Sequence, residues 1–108
     1  MNIYEWRTAG GKNEISNYFS KRSKAEQAEY KKARELIIEY GCFALEKLDT
    51  RQLRGKLWEI KLSQNRIMYA VIDGDNIFFL HACKKQKGSA EKFELAKAIS
   101  RAKKVELL

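Results

Sequence analysis

Lys61, Arg66, His81 and Lys85 are the residues of this chain best suited to act together on a charged substrate. An arginine offers a planar, permanently charged fork that matches two phosphate oxygens. A lysine crowded by other cations releases its proton more readily than one in water, so Lys61 and Lys85 suit proton exchange. His81 is the only histidine, and an unshifted imidazole changes charge close to neutrality. Beside Phe79 it would serve equally well as a packed core residue. Glu59 adds a carboxylate two positions before Lys61. Such a set can bind a phosphate, neutralise a developing phosphorane and move a proton.

The rest of the chain excludes several other chemistries. One histidine rules down a two-histidine phosphodiesterase site and a His/Cys zinc site alike. The acidic residues are dispersed or lie in turns, which argues against a two-metal centre. Asp73-Gly74-Asp75-Asn76 lacks the remainder of a calcium loop and reads as a turn. Neither GxxxxGK[ST] nor GxGxxG occurs. No metal and no cofactor is expected. Cys42 and Cys83 sit outside any CxxC pair and read as reduced thiols.

The elements that position these residues follow from periodicity. Ile3–Trp6 alternates like a short first strand, and Thr8-Ala9-Gly10-Gly11 breaks it. A helix over Asn13–Lys21 puts Ile15 and Phe19 on one face. Ser23 and Glu26 form a capping box for a second helix, with Ala33, Leu36, Ile37 and Tyr40 as its apolar stripe and Gly41 as its stop. Leu45 and Leu48 are expected core contacts in the connection. From Leu57 the period becomes two, which predicts strands over Leu57–Leu62, Arg66–Asp73 and Ile77–Lys84, the last two joined by the turn at Asp73–Asn76. Ser89 is expected to cap a final helix with Phe93, Ala96 and Ile99 inward.

Strand parity sorts the side chains into two faces. An even loop pairs Ile72 with Ile77, Met68 with His81 and Arg66 with Cys83, and a second even loop pairs Lys61 with Met68. One face then carries Trp58, Ile60, Leu62, Ile67, Tyr69, Val71, Phe78, Leu80 and Ala82, apolar throughout. The other carries Glu59, Lys61, Arg66, Met68, Ala70, Ile72, Ile77, Phe79, His81, Cys83 and Lys85, with its cations gathered away from the hairpin. Neighbouring strands lie about 4.8 Å apart, so these cations could share one phosphate.

The 108 residues suffice for a single domain, 1–108, and a hydrophobic fraction of 44% suits a globular core. The net charge of +8 points to an acidic partner, nucleic acid first and an acidic protein second. No apolar run is long enough to span a membrane, and the first residues lack a signal-peptide pattern, so a cytoplasmic location without membrane contact is expected. On RNA, cations alone can promote cleavage, because the ribose 2′-hydroxyl is a nucleophile supplied by the substrate. The protein must align it, stabilise the phosphorane and protonate the 5′-oxygen.

Three segments carry a family resemblance: Gly55–Lys61, Asn65–Tyr69 and Phe79–Lys85. With the order of elements, they resemble the HigB-like, phage-derived Gp49-like branch of the RelE/ParE toxin superfamily. The resemblance implies an α+β fold of the RelE-like microbial-RNase kind, β-α-α-β-β-β-α, with an antiparallel sheet packed against the N-terminal helices and a C-terminal helix. It implies a type II toxin, a ribosome-dependent mRNA endonuclease silenced by a helix-turn-helix, HigA-like antitoxin. Arg66 falls where such toxins keep a phosphate-binding arginine. Lys61 falls on a strand position implicated in activating the 2′-hydroxyl, and Lys84 and Lys85 near a residue that stabilises the transition state. Lys56, Lys84, Lys87, Lys92 and Arg101 are the expected contacts to ribosome and mRNA. The sequence departs from the pattern at Glu59, where RelE-type toxins are basic. It also has no counterpart of their C-terminal tyrosine, since parity places Tyr69 in the core. Two readings compete: a ParE-like toxin that binds DNA gyrase without cleaving RNA, and an inactive RNA- or protein-binding module.

Overall fold

The computed structural model describes residues 1–108. Nine elements follow in order: β1 (Asn2–Glu5), α1 (Glu14–Ser20), α2 (Lys24–Tyr40), α3 (Cys42–Lys47), β2 (Thr50–Arg54), β3 (Leu57–Leu62), β4 (Asn65–Asp73), β5 (Asn76–Lys84) and α4 (Ser89–Lys104). The strands form one mixed sheet in the order β1-β5-β4-β3-β2. This is an α+β fold compatible with the RelE-like class. It has one helix and one strand more than periodicity alone predicts, and β1 joins β5 in parallel rather than antiparallel.

Local chemistry sets the helix boundaries. Asn13 caps α1 through its side chain, which accepts from the Ser16 N–H at 3.0 Å. The capping box of α2 is complete, Ser23 Oγ accepting from Glu26 N–H while the Glu26 carboxylate accepts from Ser23 N–H. Gly41 stops α2 at φ +60°, a conformation that L side chains rarely adopt, and the chain turns directly into α3. The Leu45 expected in a connection is therefore a buried helix residue.

The sheet is covered on both faces. On one, α1, α2 and α3 bury Ile15, Phe19, Ile37 and Leu45 against Ile60, Leu62, Ile67 and Tyr69 of β3 and β4. On the other, α4 buries Ala98 and Ala102 against Leu57, Met68, Ala70 and Leu80. Its inward stripe is Leu95, Ala98, Ile99 and Ala102, the i, i+3, i+4, i+7 pattern of a packed helix. Phe93 and Ala96, expected inward, face outward, and Phe93 lies under the Lys97 ammonium. The cap residue is Gly88, one position before the expected Ser89. Tyr40, the last residue of α2, likewise lies outside the core.

Register departs from expectation in two places. A two-residue turn at Ser63-Gln64 pairs Lys61 with Arg66 and Glu59 with Met68, so Lys61 does not face Met68. Parity survives, because the shift is by two. In the β4–β5 ladder, Met68 faces His81 and Arg66 faces Cys83 as expected, but Tyr69 faces Phe79 and Val71 faces Ile77. Leu80 and Ile72 are left as extra residues in two bulges. A bulge inverts alternation along its strand, so Ile77 and Phe79 join the α1–α3 core while Leu80 joins the α4 core. The expected placement of Ile77, Phe79, Phe78 and Leu80 is thereby reversed.

Candidate active site

Where α4 stops covering the sheet, a cleft of about 260 Å³ opens beside the ends of β3, β4 and β5. Glu59, Lys61, Arg66 and Lys85 line it together with Lys84 and Lys87. The backbone N–H of Lys85 donates to Gln64 C=O at 2.7 Å, which ties the end of β5 to the β3–β4 turn and fixes where these lysines begin. Arg51 of β2 completes the lining with Glu91 and Glu94 of α4. Six cations thus face three carboxylates around one cleft. None of the four lysines is in an ion pair.

Arg66 is braced by its own turn. Its Nη1 donates to Ser63 C=O at 3.0 Å and to Asn65 C=O at 2.9 Å, while Nε lies 3.9 Å from Glu59. The Nη2 group has no partner within the chain and remains for an anion. Asn65 holds this turn from below. Its side chain, fully buried, accepts from Tyr18 Oη at 2.5 Å and donates to Glu26 at 2.6 Å. Asn65→Ala leaves those partners unsatisfied, and urea unfolding is expected to show a loss of about 1–3 kcal/mol.

Glu59 is buried rather than presented. It is 2% exposed, and its carboxylate lies 3.0 Å from Arg51. Arg51, held also by Glu91 at 2.9 Å, is the residue most clearly missed in the sequence. These hydrogen bonds, Glu91 foremost, push its pKa further up. Thr50–Arg54 carries one apolar residue in five, so no alternation announced the strand.

His81 lies behind the cleft and does not line it. Its pairing with Met68 puts the ring on the α4 side of the sheet, where Nε2 meets the Glu94 carboxylate and Nδ1 accepts from Arg101 Nη1 at 3.1 Å. Burial pushes the His81 pKa below the ordinary histidine range, and Arg101 and Lys97 add to the shift. Of the two roles open to His81 from the sequence, the packed one fits this neutral, buried imidazole. In the unfolded chain the group titrates at about 6.5. Its contribution to stability is fully present above that value and is lost as pH falls through it toward the lower folded pKa. Thermal melts are expected to show stability falling on acidification from neutrality, less steeply in His81→Gln.

His81, Cys83 and Glu94 bring three potential metal donors within 4.8 Å of one another. The surroundings do not suit a metal. Arg101 donates to Nδ1, which leaves the ring proton on Nε2, the nitrogen that would have to ligate. Burial, with Glu94 and Glu59 nearby, pushes the Cys83 thiol up to about 12. Cys83 and Cys42 are both unpaired thiols. Tyr69 is also set aside: it is buried on the α1–α3 side, and its phenol is pushed up to about 12 by that burial.

The remaining expected contacts scatter. Arg101 is turned inward, held by Leu80 C=O at 2.9 Å, by Glu14 and by the Trp6 ring. Lys92 projects from α4 outside the cleft. Lys56 borders a separate apolar groove with Trp58 and Ile72. Beyond His81, a second groove carries Lys12, Lys21, Arg22 and Lys97. The Arg22 Nε there is the one buried side-chain polar atom without a partner. No helix is long and apolar enough to cross a membrane.

The family model described as Phage derived protein Gp49-like (DUF891) matches residues 17–103. Among curated proteins, none matches the chain.

Proposed function

Because the chain belongs to the phage-derived Gp49-like family, type II toxins of the HigB/RelE-like kind, we propose that it cleaves mRNA on the ribosome and is silenced by a cognate antitoxin with a helix-turn-helix domain. The observation that carries this reading is the convergence of Arg66 with four unpaired lysines in one cleft. A phosphodiester entering there meets the free Nη2 of Arg66, with Lys61 directly across the ladder. These charges neutralise the phosphorane formed when the 2′-hydroxyl attacks. Lys85 protonates the departing 5′-oxygen. Lys84 and Lys87 extend the cationic track along the RNA, and the second groove supplies a further surface for ribosomal RNA through phosphate contacts. A protein that only binds gyrase has no need of so many cations converging on one point.

The test is induced expression in a bacterium with mapping of mRNA 5′ ends. Cuts within translated frames that appear on induction support the nuclease. Growth arrest with intact mRNA and accumulating DNA damage would replace it with a gyrase-binding toxin.

A further inference from the structure

We propose that Glu94 is the general base of the cleavage and that His81 is its positioning residue, an inference that rests on the nuclease reading above. Three carboxylates line the cleft, and their partners separate them. Glu59 is enclosed and lies between Arg51 and Arg66. Accepting a proton there would forfeit the attraction of two guanidinium groups. Glu91 sits at the rim, 42% exposed and paired with Arg51. Glu94 alone has no arginine or lysine partner. Its side chain is 19% exposed, shielded from bulk water yet open to the cleft. It also lies beside Cys83, the residue that faces Arg66 across the ladder.

A chain of contacts orients this carboxylate. Glu14 holds Arg101, Arg101 donates to His81 Nδ1, and the imidazole proton is thereby placed on Nε2, where it is donated to Glu94 Oε2. His81 faces Met68 in the β4–β5 ladder, which puts it on the side of the sheet that α4 covers. With Oε2 engaged by His81, the carboxylate has only the weak Cys83 thiol as a further donor, which yields Oε1 to the ribose hydroxyl. As O2′ bonds to phosphorus, Oε1 takes the 2′-hydroxyl proton. The P–O5′ bond breaks with its electron pair going to O5′, which takes a proton from the Lys85 ammonium. The products are a 2′,3′-cyclic phosphate and a 5′-hydroxyl. Lys61 then has only to stabilise charge. The titratable groups beside Glu94 are His81 and Cys83 from β5, and across the same cleft lie Glu59 and Lys61 from β3, Arg66 from β4, Arg51 from β2, and Lys84, Lys85 and Lys87 from the end of β5 and beyond. Glu91 and Lys97 flank it on its own helix.

The experiment measures single-turnover cleavage of a defined mRNA on translating ribosomes, from about pH 6 to about pH 8. An ionised carboxylate base leaves the wild-type rate nearly level over this range. In Glu94→Gln the rate at neutrality is expected to fall about 10²–10⁴-fold and to rise about tenfold per pH unit, because hydroxide replaces the base. The ribosome concentration giving half-maximal rate stays unchanged. His81→Ala is expected to lower the rate about tenfold with the same half-maximal concentration, and His81→Gln, which keeps an N–H at that reach, to restore most of it. A folded Glu94→Gln protein with wild-type rate and profile overturns the assignment. So does a wild-type rate that already climbs tenfold per pH unit, a result that needs no variant to fold. Absence of any cleavage by the wild type overturns the nuclease reading itself.

Discussion

Arg66→Ala is expected to reduce mRNA cleavage about 10²–10³-fold, the loss seen when one preorganised donor to a transition-state oxyanion is removed, and to abolish growth arrest on induction. The fold should survive. The carbonyls of Ser63 and Asn65 that Arg66 now braces lie at a turn where water can replace the guanidinium. Glu59 keeps Arg51 at 3.0 Å, so no buried carboxylate is orphaned. Arg66→Lys should fall between the two, since an ammonium neutralises charge but lacks the second parallel donor. Circular dichroism and melting of the purified variants, beside 5′-end mapping, check the prediction. A folded Arg66→Ala protein that still cut mRNA at the wild-type rate would remove the cleft from the mechanism.

The largest stability effect is expected at Phe79. It is fully buried among Ile15, Phe19 and Ile60, and truncation to alanine leaves a cavity costing about 3–5 kcal/mol. Small domains have only about 5–15 kcal/mol in total, so Phe79→Ala should melt far below the wild type or fail to fold. Phe78 is half-buried against the α4 side and Tyr4, and Phe78→Ala should cost roughly half as much or less. Without the bulge at Leu80 the two residues would exchange faces. The rank order of the two variants in urea unfolding is therefore a direct reading of the register, and the reverse order would contradict it.

That bulge marks where local pattern stops being informative. Alternation along Leu57–Leu62 and Asn65–Asp73 depends only on the chain's own pleat, and Lys61 and Arg66 share a face for any even turn between them. The two-residue turn at Ser63-Gln64 moved the pairing by two and changed nothing about which face they occupy. An extra residue such as Leu80 has no local signature. It is accommodated because α4 and the α1–α3 core each offer an apolar surface to receive one side of the strand. The phase of α4 is likewise set by tertiary contact, which keeps Ile99 inward but turns Phe93 and Ala96 out. Phe93 is the more hydrophobic residue, but the close approach of helix to sheet selects the small Ala98 and Ala102.

The sequence by itself determined the net charge, the α+β class, the capping box of α2 and the shared face of Lys61 and Arg66, because each depends on composition or on neighbours within a few residues. Only the tertiary structure decided which charges are already spent. Arg51 reaches Glu91 across 40 positions and Arg101 reaches Glu14 across 87, so those cations are held within the protein while the four cleft lysines are not. Ion pairing depends on distance in space, which periodicity does not encode. For that reason Glu59, exposed by parity, is enclosed, and of the two roles open to His81 the packed one fits its burial against Glu94 and Arg101.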